Sequence, residues 1–264
     1  MTESARPAPR TVVVTGASAG LGAALARIYA APGVTLGLIA RDRERLARIA
    51  ADCRASGAVV HEAAIDVRDA RALATWLAAF DDTAAVDLVI ANAGVATGPC
   101  SDAEPEGDEA ASRQIETNLL GVIHTVEPLL PRMIARGRGH VAMLGSIAAY
   151  RGLPDHPAYC ASKAGVRLYG ESLRPLVAPG GVAVSVILPG FFESAMSAAF
   201  QGPRPLMISA ERAAAIVRRG LDRRRRRIVF PRRLGLVLQA LDLLPAFLGD
   251  WLIRRSRFRI GPRA

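Results

Sequence analysis

Short apolar runs alternate with amphipathic helical segments along most of this chain of 264 residues, and this alternation is the strongest constraint on its fold. The apolar runs contain few polar residues, which is typical of parallel strands that are covered on both faces. They span residues 10–16, 34–40, 58–66, 85–94, 139–146, 181–190 and 227–230. The pattern predicts an α/β fold: a single domain built on a doubly wound parallel sheet, with ligands beyond the carboxyl ends of the strands.

The sequence TGASAGLG joins the first predicted strand to the first predicted helix and contains Gly16, Gly20 and Gly22. Glycine permits a tight turn and a close approach of the backbone, and the N–H groups of a helix N-terminus bind pyrophosphate. The GxxxGxG spacing differs from the GxGxxG dinucleotide fingerprint, and some turns of this kind serve packing alone. Its place after the first strand favours a dinucleotide site in a Rossmann fold, where Ser18 would donate a hydrogen bond.

The end of the second strand bears on the choice of cofactor. An acidic residue there binds the ribose 2′-hydroxyl of NAD, but this chain has Ala40 followed by Arg41. A guanidinium pairs well with the 2′-phosphate of NADP, so we expect NADP rather than NAD. The alternative is that Arg41 only begins a charged helix. Asp66, at the end of the third strand, either accepts from the adenine amino group or caps the following helix.

Lys163 is the only lysine in the chain, since the 34 Lys and Arg residues comprise 33 arginines and this one amine. It follows Tyr159 by four residues, a spacing that puts both side chains on one face of a helix. Lowering a tyrosine pKa from near 10 to about 7 takes roughly 4 kcal/mol, which a positive charge about 4 Å away supplies at an effective dielectric near 20. The pair therefore indicates either a tyrosine poised for proton transfer or an ordinary surface pair.

Several short motifs occur in an order and spacing that point to one family. They are TGASAGLG, NAG at residues 92–94, Asn118, Ser146, YCASK at residues 159–163 and PG at residues 189–190. Over residues 10–230 the chain thus resembles the short-chain dehydrogenase/reductase family. Ala91 stands where the family usually has an asparagine before NAG, which is a modest departure.

The resemblance implies roles for four residues. The Ser146 hydroxyl would bond the substrate oxygen, and Tyr159 would exchange a proton with that oxygen. Lys163 would bind the nicotinamide ribose and lower the tyrosine pKa, and Asn118 would hold a water in a proton relay. The implied reaction is hydride transfer between NADP(H) and a hydrophobic carbonyl compound or secondary alcohol.

The predicted cofactor site combines the glycine turn with the motifs of the family. NAG is expected near the adenine ribose and PG beside the nicotinamide, and Ser194 stands where the family often has a threonine that contacts the carboxamide. The predicted cofactor-binding residues are Gly16, Ser18, Gly20, Leu21, Gly22, Arg41, Asp66, Val67, Asn92, Ala93, Gly94, Tyr159, Lys163, Pro189, Gly190 and Ser194. We expect no metal, because the sequence contains no Cys or His cluster with metal-ligand spacing.

The segment after PG, usually a mobile lid in the resembled family, carries bulky apolar side chains that favour a hydrophobic substrate or, equally, pack the lid itself. They are Phe191, Phe192, Met196, Phe200 and Met207. In the loop before Tyr159, Arg151 either meets an anionic substrate or faces solvent, and His156 either touches substrate or is solvated. The alternative activity is reduction of a 3-oxoacyl chain on CoA or a carrier. The non-enzyme alternative is a dinucleotide-binding regulatory protein.

Residues 231–264 form a predicted basic, amphipathic helical extension, after a loose tail at 1–9 and a catalytic domain at 10–230. From Arg218 to the end there are 14 Arg and three Asp, a net charge of about +11, whereas the whole chain carries +10. Pro245 divides two helical segments that are too interrupted for a membrane span. We expect the extension to dock on the body or on a second subunit, with an anionic membrane surface as the alternative.

Composition limits the remaining possibilities. The cysteines Cys53, Cys100 and Cys160 are widely spaced, which predicts reduced thiols, and the N-terminus has no apolar signal segment. We therefore expect a cytoplasmic protein, peripheral at a membrane if the extension binds one. No nucleic acid is expected, because the arginine cluster lacks interleaved aromatic residues and a recognisable binding module. The family resemblance also implies a homo-oligomer.

Overall fold

Seven parallel strands form one sheet in the computed structural model, which describes residues 8–97, 106–154, 156–198 and 204–255. The strands are β1 Thr11–Thr15, β2 Thr35–Ala40, β3 Val59–Ala64, β4 Leu88–Ala91, β5 Gly139–Leu144, β6 Val182–Pro189 and β7 Arg227–Phe230. Their order across the sheet is β3-β2-β1-β4-β5-β6-β7. The doubly wound parallel sheet that the apolar runs predict is confirmed, and every predicted run contains one of these strands.

Helices cover both faces of the sheet. They are α1 Gly20–Tyr29, α2 Arg43–Ala55, α3 Ala70–Thr83, α4 Asp108–Ile115, α5 Gly121–Val126, α6 Leu130–Ala135, α7 Pro157–Val177, α8 Ala195–Ala198, α9 Ala210–Asp222, α10 Arg232–Asp242 and α11 Ala246–Arg255. A core of apolar side chains joins α1, α2 and α9 to one face, and a second core joins α3, α5 and α7 to the other. Burial on both faces explains why most of the strands carry few polar residues.

The chain reverses its direction of winding next to β1. Strands β2 and β3 lie on one side of β1, and β4 lies directly on the other side, paired with it from Val12 to Val14. A crevice opens beyond the carboxyl ends of the strands at such a switch point, because the two crossovers leave it in opposite directions. The fold therefore places the glycine turn after β1 beside the NAG segment after β4.

The two C-terminal helices pack on the body beside β6 and β7. Leu238 of α10 is buried against Ile147 and Leu188, and Arg151 of the body pairs with Asp250 of α11 at 2.6 Å. This agrees with the expected docking of the extension on the body. No helix in the described part of the chain is long and apolar enough to cross a membrane. The boundaries 1–9, 10–230 and 231–264 stay a prediction.

A buried carboxylate ties α3 to α6. The Asp81 side chain is 1 % exposed, accepts from the Val86 N–H and receives two hydrogen bonds from Arg136 at 2.6 and 2.9 Å. Burial opposes its ionisation, but the hydrogen bonds and charge of Arg136 outweigh burial and hold the pKa of Asp81 below its usual value.

We expect Asp81→Asn to lower the free energy of unfolding at pH 7 by about 3 kcal/mol, because it breaks a buried ion pair. The lowered folded-state pKa means that this stabilisation is present above the unfolded pKa near 3.9 and is lost as pH falls through the folded value. Urea unfolding at pH 7 and pH 3 measures both effects. The control Asp82→Asn removes a carboxylate that is 66 % exposed, and should change stability by less than about 1 kcal/mol. Equal effects of the two substitutions would contradict the assignment.

Candidate active site

A cavity of about 810 Å³ opens at the carboxyl ends of the central strands. Every predicted cofactor-binding residue lines it, and so do Ser146, Tyr159 and Lys163 of the predicted catalytic set. Asn118 is the exception, since it is completely buried behind the cavity wall. The residues that the sequence motifs single out therefore meet at one place.

Close backbone packing explains two of the glycines in the turn. Gly16 has a φ of +68°, which side chains rarely allow, and a Cβ there would lie 2.9 Å from the Cα of Ala93. A Cβ on Gly22 would lie 2.2 Å from the carbonyl oxygen of Gly16. Only glycine lets the first turn of α1 approach the turn before it, and this shape fits a pyrophosphate seated on the helix N-terminus.

Asn92 holds the two sides of the crevice together. Its backbone N–H donates to the Thr15 hydroxyl at 3.1 Å, and its side-chain amide donates to the Thr15 carbonyl at 2.9 Å. These bonds fix the end of β4 against the end of β1, so the NAG segment supports the sheet at the switch point.

Basic side chains surround the end of the cavity beside β2. Arg41 lies in the wall with its side chain 49 % exposed, and Arg45, which the sequence motifs did not single out, lies there too. Asp42 also lines this end, but its carboxylate accepts from the Arg45 N–H at 2.9 Å and caps α2. This end of the cavity thus carries two guanidinium groups, each beside one acid: Arg45 lies 3.2 Å from Asp42, and Arg41 lies 3.8 Å from Asp66.

Asp66 does not cap a helix, because α3 is capped by Asp69, whose side chain accepts from the Ala72 N–H. Asp66 instead accepts from the backbone and the guanidinium of Arg68 at 2.8 to 3.1 Å, and lies 3.8 Å from Arg41. Partial burial opposes its ionisation, but these contacts outweigh burial and lower the pKa of Asp66. The capping alternative for Asp66 is wrong.

Ser146, Tyr159 and Lys163 form the polar wall of the cavity between β5 and α7. Ser146 follows β5, and its hydroxyl accepts from the Ala148 N–H at 3.1 Å and lines the same cavity as Tyr159. The Lys163 ammonium lies 5.8 Å from the centroid of the Tyr159 ring and donates to the Leu144 carbonyl at 2.9 Å. The predicted helical spacing thus does bring the phenol, the amine and the serine hydroxyl together.

Burial disfavours the charged form of both Tyr159 and Lys163, and this changes the pKa of each side chain. Burial raises the pKa of Tyr159 to about 12, and the Ser146 hydroxyl only partly offsets this rise. Burial likewise lowers the pKa of Lys163 to about 8. The structure does not show the expected tyrosine pKa near 7, because desolvation of the phenol is the largest influence on it and raises it. Tyr159 is therefore protonated at neutral pH.

Asn118 connects three segments behind this wall. It lies in a π-helical turn, Glu116–Leu120, and its side chain accepts from the Val95 N–H and donates to the Val95 carbonyl at 2.7 and 2.9 Å. A further hydrogen bond, at 3.1 Å, reaches Ser162 of α7. Turns of this kind often occur at functional sites because they displace one residue from the regular helical ladder. A role for Asn118 in a water relay stays a prediction.

Apolar side chains form the remaining wall. Phe191, Phe192 and Met196 line the cavity as expected, whereas Met207 is not part of its lining and is 41 % exposed, and Phe200 lies outside the described residues. Sequence patterns missed two further members, Leu234 and Leu238, which come from α10. Their helical spacing shows an apolar stripe, but nothing local shows that this stripe faces the cavity.

The two loop residues with open alternatives have different surroundings. His156 is buried in the cavity wall, with its Nδ1 3.9 Å from the Glu106 carboxylate, so it is not a solvated loop residue. The Arg151 side chain is only 15 % exposed, pairs with Asp250, and does not line the cavity of Tyr159. Arg151 thus neither lines the cavity beside Tyr159 nor faces solvent freely, the two alternatives that its loop position left open.

The structure describes two of the three cysteines of the chain. Cys53 and Cys160 are buried and free, and burial raises the pKa of each to about 11, while Cys100 lies outside the described residues. Among the described residues, no group of three or more His, Cys, Asp or Glu side chains could hold a metal ion.

A family model for short chain dehydrogenases matches residues 10–204. The chain belongs to this family. A protein of Myxococcus xanthus, described only as an uncharacterized oxidoreductase, is 36 % identical over 249 residues, which cover 94 % of this chain and 98 % of the relative.

Solved structures of short-chain dehydrogenases superpose over almost the whole chain. One from Sphingobium yanoikuyae in complex with NADPH is 26 % identical, covers 96 % of this chain and 98 % of its own, and gives a TM-score of 0.78. Another from Burkholderia phymatum in complex with NAD is 23 % identical, covers 97 % of this chain and 98 % of its own, and gives a TM-score of 0.80. At this identity the likeness shows the fold alone. As a short-chain dehydrogenase, this protein is an oxidoreductase that binds a nicotinamide dinucleotide.

Proposed function

We propose that this short-chain dehydrogenase uses NADPH to reduce hydrophobic carbonyl compounds, or oxidises the corresponding secondary alcohols, with Tyr159 as the proton-transfer group. The observation that carries the proposal is the meeting of Ser146, Tyr159 and Lys163 on the wall of a cavity whose other wall is apolar. A polar triad and a hydrophobic wall together suit a substrate with one carbonyl group on a largely apolar body.

The chemistry needs a proton donor beside the carbonyl oxygen. The cofactor, when bound, supplies a hydride to the carbonyl carbon. The Tyr159 hydroxyl donates its proton to the oxygen, which becomes the alcohol, while the Ser146 hydroxyl donates a hydrogen bond to the same oxygen. A phenol with its pKa raised to about 12 is protonated at neutral pH, which suits the reductive direction.

Lys163 supports this step through charge. Its ammonium carries three donors, of which one is used by the Leu144 carbonyl, so two can reach ribose hydroxyl groups. Its positive charge would also stabilise the phenolate that remains after proton transfer, because Lys163 is 3 % exposed and opposite charges attract more strongly away from water.

We expect Tyr159→Phe to lower kcat/KM by at least about 100-fold, since it removes the general acid without changing the shape of the site. The Kd for NADPH, measured by fluorescence, should change by less than threefold. Tyr150→Phe is the matched control: the Tyr150 hydroxyl is buried and has no hydrogen-bond partner in the described structure, and its loss should leave activity near that of the wild type. An active Tyr159→Phe enzyme would refute the proposed role.

The proposed preference for NADP rests on the basic end of the cavity. Arg41 and Arg45 both line this end of the cavity and would pair with a 2′-phosphate, and Ala40 offers no carboxylate to a ribose 2′-hydroxyl. The NADPH complex of the Sphingobium relative supports this choice.

We expect Arg41→Ala to raise the KM for NADPH at least about tenfold and to leave the KM for NADH unchanged, because it removes a charge-assisted hydrogen bond to the 2′-phosphate alone. Arg43→Ala is the control, since Arg43 is exposed at the start of α2 and does not line the cavity. Steady-state kinetics with NADPH and with NADH measure the two KM values. Equal losses with NADPH and NADH, or a wild-type preference for NADH, would count against NADP.

The substrate class is tested by following NADPH oxidation across ketones, aldehydes, steroids and 3-oxoacyl thioesters. The apolar wall of Phe191, Phe192, Met196, Leu234 and Leu238 predicts the highest kcat/KM for bulky apolar ketones. Turnover of oxoacyl thioesters alone would favour a 3-oxoacyl reductase, and turnover of small polar sugars alone would contradict the proposal.

A further inference from the structure

Helix α10 has an inner face that belongs to the active site. Leu234 and Leu238 line the cavity, and Leu238 is 9 % exposed. Gly235, between them in sequence, is buried, and a Cβ there would lie 2.6 Å from the Val229 side chain, so the helix packs closely on β7. The position of α10 is therefore fixed by the body of the protein.

The outer face of the same helix is also apolar. Leu236 and Val237 are 64 % and 54 % exposed, and the exposed apolar residues continue with Leu243, Phe247 and Trp251 at 87 %, 78 % and 49 %. Phe247 and Trp251 are four residues apart and so share one face of α11. Soluble monomers seldom expose several large apolar side chains on two adjoining helices unless the surface binds something. We call these five residues the outer apolar face.

Positive charge flanks the outer apolar face at both ends. Arg232 and Arg233 are exposed at the start of α10, and Arg255 lies over the Trp251 ring at 4.1 Å, at the end of α11.

The acids of the extension face a cation of the body. Asp242 and Asp250 are the only acidic residues after residue 230, and both lie within 4 Å of the Arg151 guanidinium, at 3.9 and 2.6 Å. The exposed arginines of the two helices are therefore not offset by acids of their own segment. An apolar face with a cationic border is complementary to an anionic lipid surface, in which acyl chains lie beneath negative headgroups.

We propose that the outer apolar face rests on the surface of an anionic lipid bilayer and anchors the enzyme there peripherally. Because the inner face of α10 lines the cavity, docking brings the substrate site to within about one helix diameter, 10–12 Å, of the apolar layer. The substrate class that follows is a carbonyl compound dissolved in the membrane. This last step rests on the proposed function, whereas docking itself rests on the extension alone.

The experiment is flotation of the full-length protein with vesicles, which needs no turnover. Vesicles of phosphatidylcholine alone are compared with vesicles that contain about 30 % phosphatidylglycerol, at 50 and 500 mM salt. We expect at least tenfold more protein on the anionic vesicles at 50 mM salt, and loss of that excess at 500 mM, because surface attraction to anionic lipid is screened by salt.

Matched variants separate the outer apolar face from other exposed apolar residues. The double substitution Phe247→Asn and Trp251→Asn should lower the bound fraction at least tenfold. Leu176→Asn, which changes a side chain of similar exposure (76 %) on α7, should leave it unchanged. Thermal unfolding and the Kd for NADPH show that each variant is folded.

Tryptophan fluorescence gives an independent reading. The chain has two tryptophans, and Trp76 stacks on Phe80 at 5.1 Å, far in sequence from the extension. In a Trp76→Phe background, Trp251 emission should shift to the blue on addition of anionic vesicles and be quenched by brominated lipid.

Three results would overturn the proposal. They are no vesicle binding by the wild type at low salt, equal binding to neutral and anionic vesicles, and Trp251 emission that vesicles leave unchanged. If the double substitution instead turns a dimer into a monomer and leaves vesicle binding intact, a second copy of the chain covers this face. Vesicle binding without NADPH-dependent turnover would refute the proposed reductase activity but would still support the proposed membrane docking.

Discussion

The burial of one ammonium group is the constraint on which the active site depends. Lys163 is 3 % exposed, and its ammonium donates to the Leu144 carbonyl at the end of β5. A charge in this position is unfavourable on its own, which is why the pKa of Lys163 falls to about 8. In the proposed reaction the arrangement becomes favourable when the phenol passes a proton to substrate, since the phenolate would then pair with the ammonium. An arginine would be bulkier here and would direct its charge differently.

The space around this ammonium is kept open by small residues and fixed by amide hydrogen bonds. A Cβ on Gly94 would lie 3.4 Å from the Lys163 Nζ and 3.2 Å from the Asn118 Oδ1. Asn118 in turn holds the segment at Val95 and reaches Ser162, one residue before the lysine. Hydrogen bonds of Asn118 thus connect its π-helical turn to the segment after NAG and to α7, the helix that carries Tyr159 and Lys163.

Local sequence patterns predicted the parts of this molecule that depend on neighbours along the chain. The apolar runs gave the seven strands, and the i, i+4 spacing of Tyr159 and Lys163 put both side chains on one wall. Local sequence patterns did not predict properties that depend on packing between segments far apart in the chain. The pKa of Tyr159 depends on how much of the phenol the fold buries. Leu238 lines the cavity only because of where α10 packs on the body. The apolar stripe of α10 alone does not specify which surface the helix covers.

The most direct test is the pKa of the only lysine. Protein labelled with 13C at the lysine ε carbon should give a single lysine resonance in NMR spectra, because Lys163 is the sole lysine of the chain. The account predicts that this resonance titrates with a pKa of about 8 in the protein without cofactor. A midpoint at or above the ordinary value of about 10.4 would show a solvated amine, and would contradict a buried ammonium beside Tyr159.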